Sequence, residues 1–335
     1  MDKIRSACLP CLPQAGAGRD FDIRISGLWN LMDFRHIPVL VEEVVMLLRC
    51  EPGQTYVDAT LGGGGHALEI LKRTAPDGIL IGVEWDGDAI SEARKRLMPF
   101  GDRVKIFREN FIHLPDLLKA ERMEQVDGIL LDLGLSSIQL EKDERGFSFQ
   151  GEGPLDMRMD QRMDRTAADL VNNLSPRELE YTLSEYGEER WVKRIAKAIV
   201  YERERGPIRT TNDLRRIVHQ AIPRRFHSRK IDPATRTFQA FRIRVNDEME
   251  NLRKILETGW RLLRKGGRMC VISFHSLEDR MVKVIFRKLE RGRVEDSSPE
   301  GMIRVITKKP VTPSEEEQRR NPRSRSAKLR CAERV

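Results

Sequence analysis

A chain of 335 residues, 39% of them hydrophobic, has room for one large domain or two and enough apolar side chains for a real core. Its formal net charge of +8, with 33% of residues charged, favours an anionic partner such as nucleic acid or a membrane surface. Other classes are disfavoured: no apolar run approaches the roughly 20 residues of a spanning helix, no secretory signal pattern opens the chain, and five cysteines, scattered except for Cys8 and Cys11, make no disulfide framework. A cytoplasmic protein without a metal centre is the expectation, because a single Cys-x-x-Cys with no second pair is poor zinc evidence.

Residues 1–31 are interrupted by Pro10, Pro13, Gly16 and Gly18 and read as a disordered extension or a mis-assigned start, with Met32 as a second candidate initiator. From His36 the pattern tightens. Val41, Val44, Val45 and Leu48 recur at helical spacing before Pro52 and Gly53. An apolar strand beginning at Thr55 then runs into four glycines, Gly62 to Gly65, and a helix starting near His66. A second strand, from Ile79, ends in Glu84, where a dinucleotide-type fold places an acid for ribose hydroxyls. Asp88 is a plausible cap for a helix reaching Leu97. Further strands over 104–107 and from Val126 leave Phe111 and Asp132 at their exits. This alternation predicts an α/β protein with a parallel sheet covered on both faces. Ligands of such sheets sit beyond the carboxyl ends of the strands, which gathers Gly64, Glu84, Phe111 and Asp132 around one crevice.

Between about 141 and 231 no convincing strand occurs, and helical patterns around 167–170, 176–186, 190–201 and 212–221 predict an inserted helical domain devoted to substrate recognition. Arg224, Arg225, Arg229, Lys230 and Arg236 form its most basic stretch, either a solvated face or a phosphate-contacting surface. Afterwards Phe238, Phe241, Val245, Met249, Leu252 and Leu256 mark one long helix stopped by Gly266 and Gly267. A fifth strand over 269–274 leads to His275, and 303–307 and 326–333 read as paired edge strands joined by a polar loop.

The four-glycine turn fits G-x-G-x-x-G poorly, since Leu68 occupies the place of the last glycine, so a nicotinamide cofactor is disfavoured and a ligand without a pyrophosphate, such as S-adenosylmethionine, suits the turn better. The segments HIPVLVEEV, VDATLGGGGHA, DGILLDLGLSS, RGFSF, GPLDMRMD, YGEER, PATRTFQAFRIRVNDE, ISFHSLEDR and NPRSRSAKLR, spread from His36 to the C-terminus, closely resemble the bacterial ribosomal RNA methyltransferase family known as RsmH or MraW. That resemblance implies a class I (Rossmann-like) S-adenosylmethionine-dependent methyltransferase with an inserted all-helical domain. Its parts are residues 32–140 and 233–335 for the methyltransferase domain and 141–232 for the insertion. It also implies methylation of the exocyclic N4 of a cytidine in the decoding region of 16S ribosomal RNA, within the small subunit, and is compatible with a homodimer.

Cofactor contacts carry over from the family to Gly64, Gly65, His66, Glu84, Phe111, Asp132 and Gln139. The family usually has Asp at Glu84 and Pro at Ile138. Amino-directed methyltransferases commonly place an acid or amide before two prolines and an aromatic ring; this chain has Asp132-Leu-Gly-Leu-Ser-Ser137 instead. Asp132 or a nearby carbonyl is the expected acceptor of an amino hydrogen, with Ser136 and Ser137 orienting the base. His275 is either a contact to the cytidine or RNA backbone or a helix cap, and Arg236 and Arg242 are expected phosphate contacts. The Arg145 to Phe149 loop is expected to close over the cofactor. An acceptor other than RNA, or a ribosome-assembly factor holding the cofactor as a structural ligand, are the rival readings.

Overall fold

The computed structural model describes residues 38–228, 231–292 and 302–335. The expected lead-in with Cys8, Cys11 and Met32, and Arg229 and Lys230 of the basic stretch, lie outside them. The chain opens with helix α1 (Val41–Leu48) and then alternates β1 (Thr55–Asp58), α2 (Gly65–Arg73), β2 (Ile79–Glu84), α3 (Gly87–Leu97), β3 (Val104–Arg108), α4 (Leu114–Ala120) and β4 (Val126–Asp132). Six helices of the next segment are α5 (Ser137–Glu141), α6 (Ala167–Asn173), α7 (Pro176–Glu185), α8 (Val192–Arg205), α9 (Thr211–Ala221) and α10 (Thr235–Asn246), and α11 (Glu248–Thr258) leads back to the sheet. The chain ends with β5 (Leu263–Ser273), α12 (Ser276–Glu290), β6 (Ile303–Val305), α13 (Glu315–Arg320) and β7 (Lys328–Arg334).

The seven strands form one sheet in the order β3-β2-β1-β4-β5-β7-β6, parallel from β3 to β5, with β7 antiparallel to both its neighbours. This agrees with the α/β class, a parallel sheet covered by helices, that the sequence leads one to expect. Alternate residues of each strand serve opposite faces. Val57, Ile81, Val83, Ile129, Leu131 and Val271 pack with Leu252, Leu256, Val282 and Phe286 on one side. Tyr56, Leu80, Leu130 and Ile272 pack with Val44, Leu48, Ile70 and Leu71 on the other. Gly82 has a steric role: a Cβ there would lie 2.8 Å from the side chain of Leu61, which must pass over β2 for the glycine turn to fold back on the sheet.

Between β4 and β5 the helices build a separate hydrophobic cluster, including Leu170, Leu179, Leu183, Ile195, Ile199 and Leu214. Helices α6, α7 and α9 each begin with a reciprocal capping box, from Thr166 and Asp169, Ser175 and Glu178, and Thr210 and Asp213.

Four local expectations are corrected. The cap of α3 is Asp86, not Asp88; its side chain accepts from the Asp88 N–H at 2.9 Å. The long helix is two, α10 and α11, broken at Asp247 with φ 48°. Phe238, Phe241 and Val245 belong to the helical cluster while Leu252 and Leu256 belong to the sheet, so the break re-aims an apolar face that runs through it unmarked. Helix α11 ends at Thr258, and Lys265 to Gly267 lie in β5, where the pairing with β4 shifts between Val126 and Gly128, rather than ending a helix. The polar loop before β7 contains α13, and β7 sits inside the sheet with only β6 outside it.

Buried Asn246 ties the segment before α6 to the end of α10: Oδ1 accepts from the Met159 N–H at 2.7 Å and Nδ2 donates to the Met157 carbonyl at 2.8 Å. Asn246→Ala strands both backbone groups in the interior, so a loss of about 3 kcal/mol is expected in urea unfolding. An unchanged midpoint would show that the two groups find other partners.

Candidate functional site

Strands β1, β2 and β4 deliver Asp58, Glu84 and Asp132 to neighbouring positions at their carboxyl ends. The glycine turn sits beside them, with φ 51° at Gly62 and 76° at Gly64, conformations that an L side chain rarely adopts. Two hydrogen bonds through side chains hold this turn to the other strand ends. Glu84 Oε2 accepts from the Gly62 N–H at 2.8 Å, and Thr60 Oγ1 accepts from the Asp132 N–H at 2.6 Å. Glu84 Oε1 also accepts from the Trp85 and Asp86 N–H groups, at 3.0 and 2.9 Å. Burial pushes the Glu84 carboxyl up to about 7 despite these three donors.

Asp132 is raised to about 7 by burial and by the neighbouring Glu278 charge. Its Oδ1 is buried without a hydrogen-bond partner among the described residues, while Oδ2 lies 3.5 Å from His66 Nδ1. His66 Nε2 is 2.8 Å from the Val39 carbonyl, which can only accept, so Nε2 carries the hydrogen and Nδ1 presents a lone pair in the neutral ring. Burial holds the His66 pKa below its ordinary value. Asp58, which the sequence reading passed over, is 1% exposed and also pushed to about 7, by burial first, with His66 opposing and Asp132 reinforcing. Its signal was an acid closing an apolar strand. Phe111 opens a short turn after β3 and packs partly buried against the sheet core.

Gln139 is turned to structural use. It is 3% exposed, its Oε1 accepts from the Ser136 N–H at 3.0 Å and its Nε2 donates to Asp86 Oδ2 at 2.8 Å. Ser136 is the cap of α5, its Oγ accepting from the Gln139 N–H at 3.3 Å. Ser137 opens α5, and its side chain lies outside the described part of the structure. Asp86 also receives Arg145, a guanidinium 1% exposed, at 2.9 Å, and Arg145 Nη2 donates to the Arg158 and Met159 carbonyls. The Arg145 to Phe149 loop is thus anchored on the cap of α3.

On the other flank, Arg242 does not reach outward as a phosphate contact would. Its side chain is 15% exposed, and Nε and Nη2 both donate to Glu248 at 2.8 Å. His275 is the cap of α12; its Nδ1 accepts from the Glu278 N–H, and its Nε2 lies 3.1 Å from Glu278 Oε1. Burial works against the Glu278 carboxylate, yet His275 and Arg242 hold it below the usual range. Glu248, His275 and Glu278 bring ligand-type atoms within 4.8 Å of one another, but the Arg242 guanidinium already occupies Glu248 as its cation. Arg236 is exposed, with Nη1 donating to the Glu188 carbonyl at 2.9 Å. No helix among the described residues is long and apolar enough to cross a membrane.

The profile of the MraW methylase family matches residues 33–335. The chain belongs to that family. Among its curated relatives, Ribosomal RNA small subunit methyltransferase H of Geotalea daltonii is 50% identical over 312 residues, covering 91% of this chain and 100% of its own. The protein of the same name from Syntrophus aciditrophicus is 50% identical over 310 residues, covering 90% and 98%. A solved S-adenosylmethionine-dependent O-methyltransferase of Thermotoga maritima aligns with 93% of this chain and 71% of its own at 12% identity and a TM-score of 0.39, too distant to bear on substrate. Family membership thus rests on residues 33–335, and the crevice residues must be judged on their geometry.

Asp58 gives a direct check of that geometry. A carboxyl whose folded pKa lies above its unfolded value makes the native state bind more protons than the unfolded one, so stability drains away as pH climbs from about 4 to 7. Asp58→Asn keeps an acceptor for the Thr60 N–H and removes the charge. Its stabilising effect should be roughly 2 kcal/mol larger at pH 8 than at pH 5 in chemical unfolding, and equal effects at both would mean that Asp58 titrates normally.

Proposed function

We propose that this protein transfers the methyl group of S-adenosylmethionine to the exocyclic N4 of a cytidine in the decoding region of small-subunit (16S) ribosomal RNA. The observation that carries the reading is Asp132 Oδ1, a buried carboxylate oxygen at the exit of β4 with no partner among the described residues. Buried polar atoms are normally satisfied, and an unfilled acceptor in a ligand crevice fits a donor brought by the substrate. Cytosine N4 is a weak nucleophile because its lone pair is delocalised into the ring. An acceptor that takes one of its amino hydrogens localises that pair, and a carboxyl poised near 7 can take the proton when the new bond forms. His66 Nδ1, 3.5 Å from the other oxygen, is placed to share that proton.

The same crevice fits the cofactor. Three carboxyls pushed to about 7 side by side make a site for a cation. S-adenosylmethionine, when bound, supplies an activated methyl group on a positively charged sulfonium. Glu84 would accept the ribose hydroxyls, Gly64 and Gly65 would leave room for the amino-acid end, and Phe111 would flank the adenine. Gln139 supports the site from behind through Asp86, and Ser136 caps the short helix facing the base. The names of the relatives support small-subunit ribosomal RNA as the substrate. We take residues 141–232 as the inserted recognition domain, with exposed Arg236 on phosphate; Arg242, locked on Glu248, and His275, capping α12, support the crevice wall.

The test is transfer of labelled methyl to small subunits lacking the modification, with nucleoside analysis of the product. Label in N4-methylcytidine is expected, and label confined to another nucleoside would overturn the acceptor assignment. Asp132→Asn should slow transfer at least a hundredfold while the far-UV spectrum stays native. Calorimetry adds a second reading. Because a cationic cofactor binds the ionised carboxyls, its affinity should rise with pH through about 7 and its binding should release protons there; a flat profile from pH 5.5 to 8 would mean that these groups do not face it.

A further inference from the structure

We propose that Trp191 and Phe226, flanked by Arg194 and Arg225, form a stacking platform for an unpaired base of RNA on the rim of the crevice, an inference that rests on the RNA substrate proposed above. The platform begins with a tight turn, Arg224–Phe226, held at both ends. Ile222 before it is buried in the helical cluster. His227 after it puts Nε2 2.9 Å from the Ile222 carbonyl and meets the ring of His219 edge-on at 5.2 Å. His219 is itself fixed by Asp232 at 2.9 Å, and Asp232 also receives Arg215. Between such anchors the turn has one outlet, and Phe226 is left 52% exposed.

The ring is not alone there. Trp191, at the start of α8, lies 5.0 Å from it at an interplanar angle of 49°. The Arg225 guanidinium sits 4.9 Å from the Phe226 centroid and that of Arg194 lies 5.7 Å from Trp191. These two arginines, with exposed Lys193 and Arg224, form no salt bridge among the described residues, whereas Arg215 and Arg216 nearby are paired with Asp232 and Glu202. Fixed, half-open aromatic faces among uncompensated cations match a partner that offers flat π faces and negative charge together. Single-stranded RNA does so: its bases stack on aromatic rings and its phosphates meet arginine, while a duplex keeps its bases inside.

Its place in the fold ties the platform to the crevice. Three residues before Trp191, the Glu188 carboxylate binds Ser276 Oγ and, at 2.9 Å, Arg280, both at the start of α12 just beyond the end of β5. Arg236 donates to the Glu188 carbonyl. The segment carrying Trp191 is thereby pinned to the start of α12 beyond β5, which sets the platform beside the strand ends to which the target cytidine would be presented.

The experiment compares wild type with Phe226→Ala, Phe226→Trp and Arg194→Ala for binding of a labelled single-stranded RNA 12-mer by fluorescence anisotropy, a readout that needs no turnover. Phe226→Ala should bind about tenfold more weakly and Phe226→Trp close to wild type, because stacking needs a ring and not a particular one. On modification-lacking subunits Phe226→Ala should raise KM by a similar factor with kcat and cofactor affinity unchanged, and ultraviolet crosslinking should join Trp191 or Phe226 to a nucleotide. Wild-type affinity and KM in Phe226→Ala, or a crosslink from this surface to a ribosomal protein instead of RNA, would overturn the platform and leave the methyl-transfer reading standing. Loss of the methyl-transfer reading would show separately, as wild-type protein that binds the oligonucleotide in a ring-dependent way but transfers no label to RNA.

Discussion

The carboxylate of Glu84 accepts hydrogen bonds from Gly62, Trp85 and Asp86, and through Gly62 it holds the end of β2 against the turn that leaves β1. The bond from the Asp132 N–H to Thr60 does the same for β4. Three strand ends are therefore locked to one glycine turn, and their acids cannot splay apart to relieve mutual repulsion. Like charges held close in a poorly solvated place make ionisation harder. The common position of Asp58, Glu84 and Asp132 near 7 follows first from burial, and at Asp58 the charges of Asp132 and Glu84 add to it.

Charge around the crevice is compensated on its flanks and left open at its centre. On one flank Arg145 neutralises Asp86 and takes up two carbonyls of the segment before α6. On the other, Arg242 closes on Glu248 and, with His275, steadies Glu278. Both flanks are fully furnished ion pairs in which a third cation has little to gain. Between them stand Asp58, Glu84 and Asp132 with only a weakly basic His66 for company. The place where the strand ends converge is thus one where added positive charge lowers the energy, which favours a cationic ligand before any particular contact to it is considered.

Much of this was legible in the sequence, because the strand periods, the glycine run and the acid closing the second strand are local signals. What was lost is non-local. Asp58 closes an apolar strand as Glu84 does, but only the sheet order shows that β1 lies between β2 and β4 and so puts Asp58 between their acids. Arg145 was read as part of a loop closing over the cofactor, and its burial depends on Asp86, far earlier in the chain. Arg242 was read as a surface cation because helical spacing gives a face but not what covers it. The break at Asp247 was invisible for a related reason: the apolar period continues through it, and no glycine or proline marks it. Gln139 resembles a ligand contact in sequence and is engaged at a helix start, whereas for His275 the capping alternative read from the sequence is the one observed.

The formal charge of +8 conceals two regions of opposite sign. Inside, carboxyl groups act over a few ångströms in a medium that screens poorly, so small displacements of a bound cation change its energy strongly. Outside, arginines on the helical segment act through water, where salt limits their reach to about 8 Å at physiological strength, and they attract a polyanion without fixing it. At Trp191 and Phe226 the outer surface would add a directional element to that attraction. Separation of this kind answers a problem set by the two proposed ligands, since a site that attracted cofactor and polyanion equally would let the RNA backbone compete for the crevice. The acids at the strand ends would repel phosphate from the place where the base is proposed to enter, and the cations proposed to hold the backbone stand on the helical segment beside it.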